Sequence, residues 1–160
     1  MGKMRVVQDD ELTTLPLQIV ESTSLRCTPA QLFASFERDA DWKAWLDIKV
    51  TRTTEGPYRV GFTRTIRGGP LTLDEVFTEW SPNKAMAFYV ERSNNPFLRA
   101  FAERWTVTET ATGCTLEWRV GIELHWAGRL LGPVLKLALT RGARRGFPKL
   151  EQLAAGSTPA

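Results

Sequence analysis

The sequence predicts an α+β domain: seven antiparallel strands, two short helices between the first and second, and one long C-terminal helix. Three observations carry this. Between Ile48 and Trp126, six runs of strand-like period follow one another across short turns. Thr28-Pro29-Ala30-Gln31 is a helix-start signature. From Gly128 to about Ala155 the apolar residues keep to a helical stripe.

The elements follow in order. Residues 1–16 read as a polar lead-in, 17–155 as one domain and 156–160 as a tail. Leu17 to Leu25 is rich in β-branched residues and holds no breaker, so it reads as a strand. After the Thr28 cap, Leu32, Phe33 and Phe36 stand at helical spacing in a helix ending near Arg38. Asp39 to Leu46, with Trp42 and Trp45 three apart, reads as a second. The strands Ile48–Thr54, Val60–Arg67, Leu71–Trp80, Met86–Arg92, Phe101–Thr110 and Thr115–Trp126 are separated by Gly56-Pro57, Gly68-Gly69-Pro70, Ser81-Pro82-Asn83-Lys84, Asn94-Asn95-Pro96 and Ala111-Thr112-Gly113. Leu131, Leu135, Ala138, Gly142, Gly146, Leu150 and Leu153 mark the inner stripe of the last helix. Pro133 requires the regular helix to begin near it, which leaves Gly128–Gly132 as a separate turn. Gly142 and Gly146 each cost helix stability, so close approach by the sheet or a ligand is expected there.

Composition narrows the function. A chain of 160 residues with 42% hydrophobic and 24% charged residues is an ordinary single domain. Six tryptophans and eight phenylalanines supply wide apolar surface, for a pocket or for a tightly packed core. The net charge of +3 does not by itself indicate nucleic acid, and none is expected as a partner. Six basic residues from Arg129 to Lys149 face only Glu151, a net of +5 that leaves −2 for the rest. That stripe is either a solvated face or a site for phosphates or lipid headgroups. Cys27 and Cys114 have no metal-ligand spacing and read as free thiols of a reducing cytoplasm. No secretory hydrophobic region is legible at the start, and the apolar stretch Leu130–Leu139 is too short and too interrupted for stable membrane insertion. A cytoplasmic protein, monomer or homodimer, is expected.

Strand parity selects candidate site residues. Leu116, Trp118, Val120, Ile122 and Leu124 share one face of the last strand. Phe101, Trp105 and Val107 share parity with Glu103; Val60, Phe62 and Ile66 share parity with Arg64. A charge on an apolar face either orients a polar ligand group or is flipped outward by a bulge. Adjacent Asp74 and Glu75 cannot both face inward in a regular strand, and their neighbours support each in turn: Leu71, Leu73 and Phe77 favour Glu75, Val76 and Trp80 favour Asp74. His125 is the only histidine and falls with the polar residues. No nucleophile elbow, phosphate loop or metal cluster is present, so no metal and no cofactor are expected.

Several segments together resemble a known family. Thr28-Pro29-Ala30-Gln31-Leu32-Phe33, Asp41-Trp42-Lys43-Ala44-Trp45-Leu46, Val60-Gly61-Phe62, Glu79 through Phe88, Trp105-Thr106-Val107 and Gly113 through Trp118 follow the order of motifs in the polyketide cyclase/dehydratase branch of the START-like (SRPBCC) superfamily. The resemblance spans about residues 17–154. It implies the helix-grip fold, a curved sheet wrapped around the C-terminal helix with a hydrophobic cavity between them and the short helices at its mouth. It leaves chemistry open, since one fold hosts many functions. A carrier for a hydrophobic, aromatic or polycyclic molecule or lipid is the expectation, with a cyclase, aromatase or dehydratase as the alternative. The residues expected on the ligand are Trp42, Phe62, Arg64, Phe88, Phe101, Glu103, Trp105 and Trp118, and Glu103 is the candidate acid/base. The segment Asn94–Arg99 is either a lid or a loop tucked on the core.

Overall fold

In the computed structural model, which describes residues 1–157 (the side chain of Asp9 aside), a curved antiparallel sheet closes on a long helix. The strands are β1 (Gly2–Lys3), β2 (Leu17–Leu25), β3 (Lys49–Arg52), β4 (Thr63–Gly68), β5 (Leu71–Ser81), β6 (Ala85–Ser93), β7 (Leu98–Thr110) and β8 (Gly113–Leu124). Their order is β2-β8-β7-β6-β5-β4-β3, with β1 added to β6. The helices are α1 (Pro29–Glu37), α2 (Asp39–Leu46) and α3 (Gly132–Ala155). This is the helix-grip architecture.

Local chemistry sets the helix ends. Thr28 Oγ1 accepts from the Gln31 amide at 3.2 Å, and the Thr28 amide donates to Gln31 Oε1 at 3.0 Å, closing the capping box. Trp126–Leu131 forms a 3-10 turn, and α3 proper starts beside Pro133. It continues through Pro148, giving up the helical bond to the Arg144 carbonyl. Leu150 and Ala154 are buried without exposure, and Ala143, Gly146 and Phe147 are buried beside them. At Gly146 an added Cβ would stand 2.8 Å from Trp45 Cε3. The close partner there is therefore the ring of α2, not the sheet.

Three expectations are corrected. The strand expected to begin at Val60 begins at Thr63, because Gly61 takes φ +78° and turns the chain, leaving Val60 exposed. The last strand stops at Leu124 and not at Trp126. The polar lead-in is part of the domain. β6 and β7 pair only over Ala85–Tyr89 and Ala102–Thr106, then splay, and residues 2–5 fill the gap. Gly2 and Lys3 pair with Ser93 and Arg92, the Met4 amide donates to the Glu91 carbonyl at 2.8 Å, and the Arg5 amide to the Arg99 carbonyl at 2.8 Å. Val7, Leu12 and Leu15 then bury the outer face of the sheet at Ala100 and Ala102. Gly121 is required beneath them, since a Cβ there would meet the Leu12 carbonyl at 2.5 Å. Of the expected tail, Ser157 is buried and Arg38 Nη2 donates to its hydroxyl; residues 158–160 lie outside the described residues.

Bulges settle the parity of β5. Between the pairs Phe77–Phe88 and Glu79–Ala87 one extra residue, Thr78, enters β5. Leu73, Glu75 and Phe77 face inward before it, and Trp80 packs inward on Phe77 after it. Glu75 is thus inside. Asp74 faces out and accepts from Thr65 Oγ1 at 2.8 Å.

Candidate ligand cavity

Between the concave face of the sheet, α2 and α3 lies a cavity of about 400 Å³. The sheet supplies Ile66, Leu73, Phe88, Phe101, Trp105 and Trp118; α2 supplies Trp42 and Trp45; α3 supplies Leu135, Leu139 and Ala143. Asp47, Gly69, Ala138 and Gly142 are the exposed members of the wall and mark its mouth, where α2 ends, β4 turns into β5 and α3 passes. The wide apolar walls follow from parity. Phe77, Phe88, Glu103, Val120 and Ile19 form one row across five paired strands, and Trp105 stands opposite Trp118 in the next. Trp45 and Trp105 meet edge to face with centroids 5.8 Å apart, and Trp105 lies 5.4 Å from Trp118. A volume of this size suits a drug-sized molecule.

Besides the exposed Asp47 at the mouth, three ionisable groups sit in this wall. Arg64 on β4 stands opposite Glu75 on β5, and its Nε donates to Glu75 Oε2 at 2.7 Å. Both side chains are buried, at 1% and 5% exposure. The guanidinium carbon lies 4.5 Å from the Trp42 ring centroid, 4.9 Å from that of Phe77 and 5.3 Å from that of Phe88. Its Nη1 also donates to the Tyr58 hydroxyl at 3.3 Å. Burial, the largest single influence, opposes the charge of Arg64, but the Glu75 carboxylate and Tyr58 together outweigh it and hold Arg64 above its ordinary value.

Glu103 is held differently. Its Oε2 accepts from Trp105 Nε1 at 3.0 Å and from Trp118 Nε1 at 2.8 Å. Its Oε1 has no hydrogen-bond partner among the described residues, and the side chain lines the cavity. Burial, then the Glu75 charge, push the carboxyl up to about 7 against the two indole donors and Arg64. The arginine that would have held Glu103 ionised is engaged by Glu75.

The matched family model covers residues 16–155 and is described as polyketide cyclase / dehydrase and lipid transport. The chain belongs to this family. The chain is 34% identical over 139 residues to an uncharacterized protein of Mycobacterium tuberculosis (strain ATCC 25618 / H37Rv), covering 82% of this chain and 83% of that one. A START superfamily protein from Mycobacterium smegmatis superposes with a TM-score of 0.71 at 8% identity, over 89% of this chain and 99% of the other. Ara h 8.0201 gives 0.69 at 9% identity, over 88% and 98%. At such identities the two structures speak for the START-like helix-grip fold alone.

Of the residues singled out from sequence, Trp42, Arg64, Phe88, Phe101, Glu103, Trp105 and Trp118 all line the family member's cavity. Phe62 does not. Although fully buried, it packs on Tyr58 and Phe77 with centroids 4.5 and 6.0 Å away, on the far side of that cluster from the ligand space. Leu98 of the Asn94–Arg99 segment lines the interior, while Phe97 packs against Gly128, so the loop is tucked in. His125 is exposed and outside the cavity wall. Cys27 and Cys114 are buried and unlinked; burial, then the neighbouring Cys27, push the Cys114 thiol up to about 12, which keeps it unreactive. No group of three His, Cys, Asp or Glu among the described residues could hold a metal ion. Sequence reasoning missed Tyr58, the second partner of Arg64, because it follows Gly56-Pro57 in a segment that reads only as a turn.

Proposed function

We propose that this protein binds a hydrophobic, aromatic or polycyclic small molecule or lipid in the cavity and carries it, with Glu103 orienting one polar group of the ligand. The observation that carries this reading is the pairing of broad apolar walls with a half-buried carboxylate that no cation pairs, Glu103, whose Oε1 has no hydrogen-bond partner among the described residues. Arg64 and Glu75 neutralise each other and Asp47 is exposed at the mouth, which leaves Glu103 the interior group available for recognition. A ligand hydroxyl would donate to it. The family description, with its lipid transport, agrees. The unlinked, buried thiols suit a reducing cytoplasm.

A second reading has one observation in its favour. A carboxyl titrating at about 7 in an apolar cavity is what a general acid/base requires, and the walls could fold a reactive chain for cyclisation, aromatisation or dehydration.

Glu103→Gln separates the two. The raised value means that the folded state keeps a proton which the unfolded chain gives up near 4.5. The contribution to stability is whole below that pH and is lost as pH rises through about 7. The variant should therefore gain on the wild type by up to roughly 3 kcal/mol between pH 4.5 and 8, read by urea denaturation. As a carrier, wild type should bind 2-naphthol more tightly above pH 7 than below, by about fivefold, and Glu103→Gln should abolish that pH dependence without touching naphthalene. An enzyme would instead lose nearly all turnover in Glu103→Gln with affinity intact, and that result would displace the carrier reading.

A further inference from the structure

Of the ten large apolar side chains exposed among the described residues, five lie between Trp126 and Leu137: Trp126, Leu130, Leu131, Val134 and Leu137. Trp126 is 81% exposed and Leu130 is 91% exposed, whereas every other tryptophan is buried or half-buried. A sixth exposed apolar residue, Phe97, packs its side chain against Gly128 in the same turn. Scattered single residues of this kind are normal, but a concentration at one place marks an interaction surface.

The charges around it are of one sign. No acid occurs from residue 126 to residue 150. Arg129, Lys136, Arg141 and Arg145 form no ion pair among the described residues; Arg144 alone of the stripe is engaged, with Glu21 at 2.8 Å. Val134, Leu137 and Arg141 follow one another at spacings of three and four on the exposed face of α3. Val134, Ala138 and Gly142, at spacings of four, form a ridge that runs from this patch onto the mouth of the cavity.

We infer that the 3-10 turn and the first turns of α3 dock the protein on an anionic lipid surface, with Trp126, Leu130 and Val134 entering the interface and Arg129 and Arg141 meeting the phosphates. Interleaved large apolar and basic residues on a short exposed segment are what an interfacial anchor needs. No helix among the described residues is long and apolar enough to cross a membrane, so the contact is peripheral. A second copy of the chain is the poorer occupant. In a two-fold contact the same patch meets itself, which would press these cations together. Docking sets the mouth beside the bilayer, where a hydrophobic ligand could pass without crossing water. The docking itself does not depend on what the cavity holds.

Sedimentation with phosphatidylcholine vesicles, with and without phosphatidylglycerol, tests this. The protein should bind only the phosphatidylglycerol vesicles, release from them as salt rises, and show a blue-shifted emission that disappears in Trp126→Phe. Trp126→Ser/Leu130→Ser should lose at least tenfold in vesicle affinity. Arg129→Glu/Arg141→Glu should lose roughly 25-fold or more, at about fivefold for each basic residue. All four positions are exposed, so the variants should keep their circular dichroism and their affinity for naphthalene. That naphthalene measurement separates failure of docking from failure of the cavity reading. Three results would overturn the inference. One is no association with either vesicle. Another is association that both double variants retain. The last is a concentration-dependent dimer in light scattering that Trp126→Ser/Leu130→Ser dissolves, which would give the patch to a second copy.

Discussion

Arg64→Met should lower stability by about 3–5 kcal/mol, the largest effect expected of any single change in the cavity wall. The variant leaves the Glu75 carboxylate buried at 5% exposure without its guanidinium, and the rings of Trp42, Phe77 and Phe88 without their cation. Glu75 would then escape by taking a proton. Burial already raises its value, opposed by Arg64, and removing Arg64 removes the opposition. The loss should therefore be larger at pH 7 than at pH 5, since an acid held protonated in the folded state costs stability as pH rises above its unfolded value. Arg64→Met/Glu75→Leu should recover most of it, because an apolar pair of similar volume pays no desolvation. Urea midpoints at the two pH values check this. A single variant within about 1 kcal/mol of wild type would show that the pair is open to water.

Gly142→Phe should reduce affinity for naphthalene or any apolar ligand by at least about 100-fold and leave the fold intact. A Cβ at Gly142 would meet nothing within 4 Å, and the residue stands at the mouth of the cavity. The ring would enter space that a ligand needs, while the helix loses a destabilising glycine worth about 1 kcal/mol against alanine. The same change one turn later behaves in the opposite sense. At Gly146 the Cβ would already crowd Trp45 at 2.8 Å, so Gly146→Phe should destabilise α2 against α3. The contrast separates a glycine facing empty space from a glycine under a ring.

Most of the fold was legible because its signals are local. The Thr28 capping box, the turn residues between strands and the helical stripe each depend on a few neighbours in sequence, and the helix ends at Pro29 and Leu46 fall where those signals put them. The lead-in was not legible. Met4, Val7, Leu12 and Leu15 follow no period, and they are buried only because β6 and β7 splay and because Ala100, Ala102 and Gly121 leave room on the outer face. In the cavity wall, alternation put Arg64 and Glu103 on the apolar faces but left open a bulge that would flip them outward; the pairing of both strands is regular at these residues. Alternation could not choose between Asp74 and Glu75, because the extra residue Thr78 reverses the parity of everything after it. Phe62 was misplaced for a related reason: parity gives the face of a residue but not its position along the curved sheet. Tyr58 and the mouth at Gly142 depend on how distant elements pack, which no spacing encodes.

Native mass spectrometry of the protein as purified from its producing cells, wild type beside Gly142→Phe, is the most direct measurement of whether the cavity holds a ligand. The result expected is one apolar small molecule per wild-type chain, displaced by naphthalene and absent from Gly142→Phe. A wild-type protein that carries nothing and takes up no naphthalene, or a molecule retained equally by Gly142→Phe, would contradict a ligand seated between α3 and the tryptophans of the sheet.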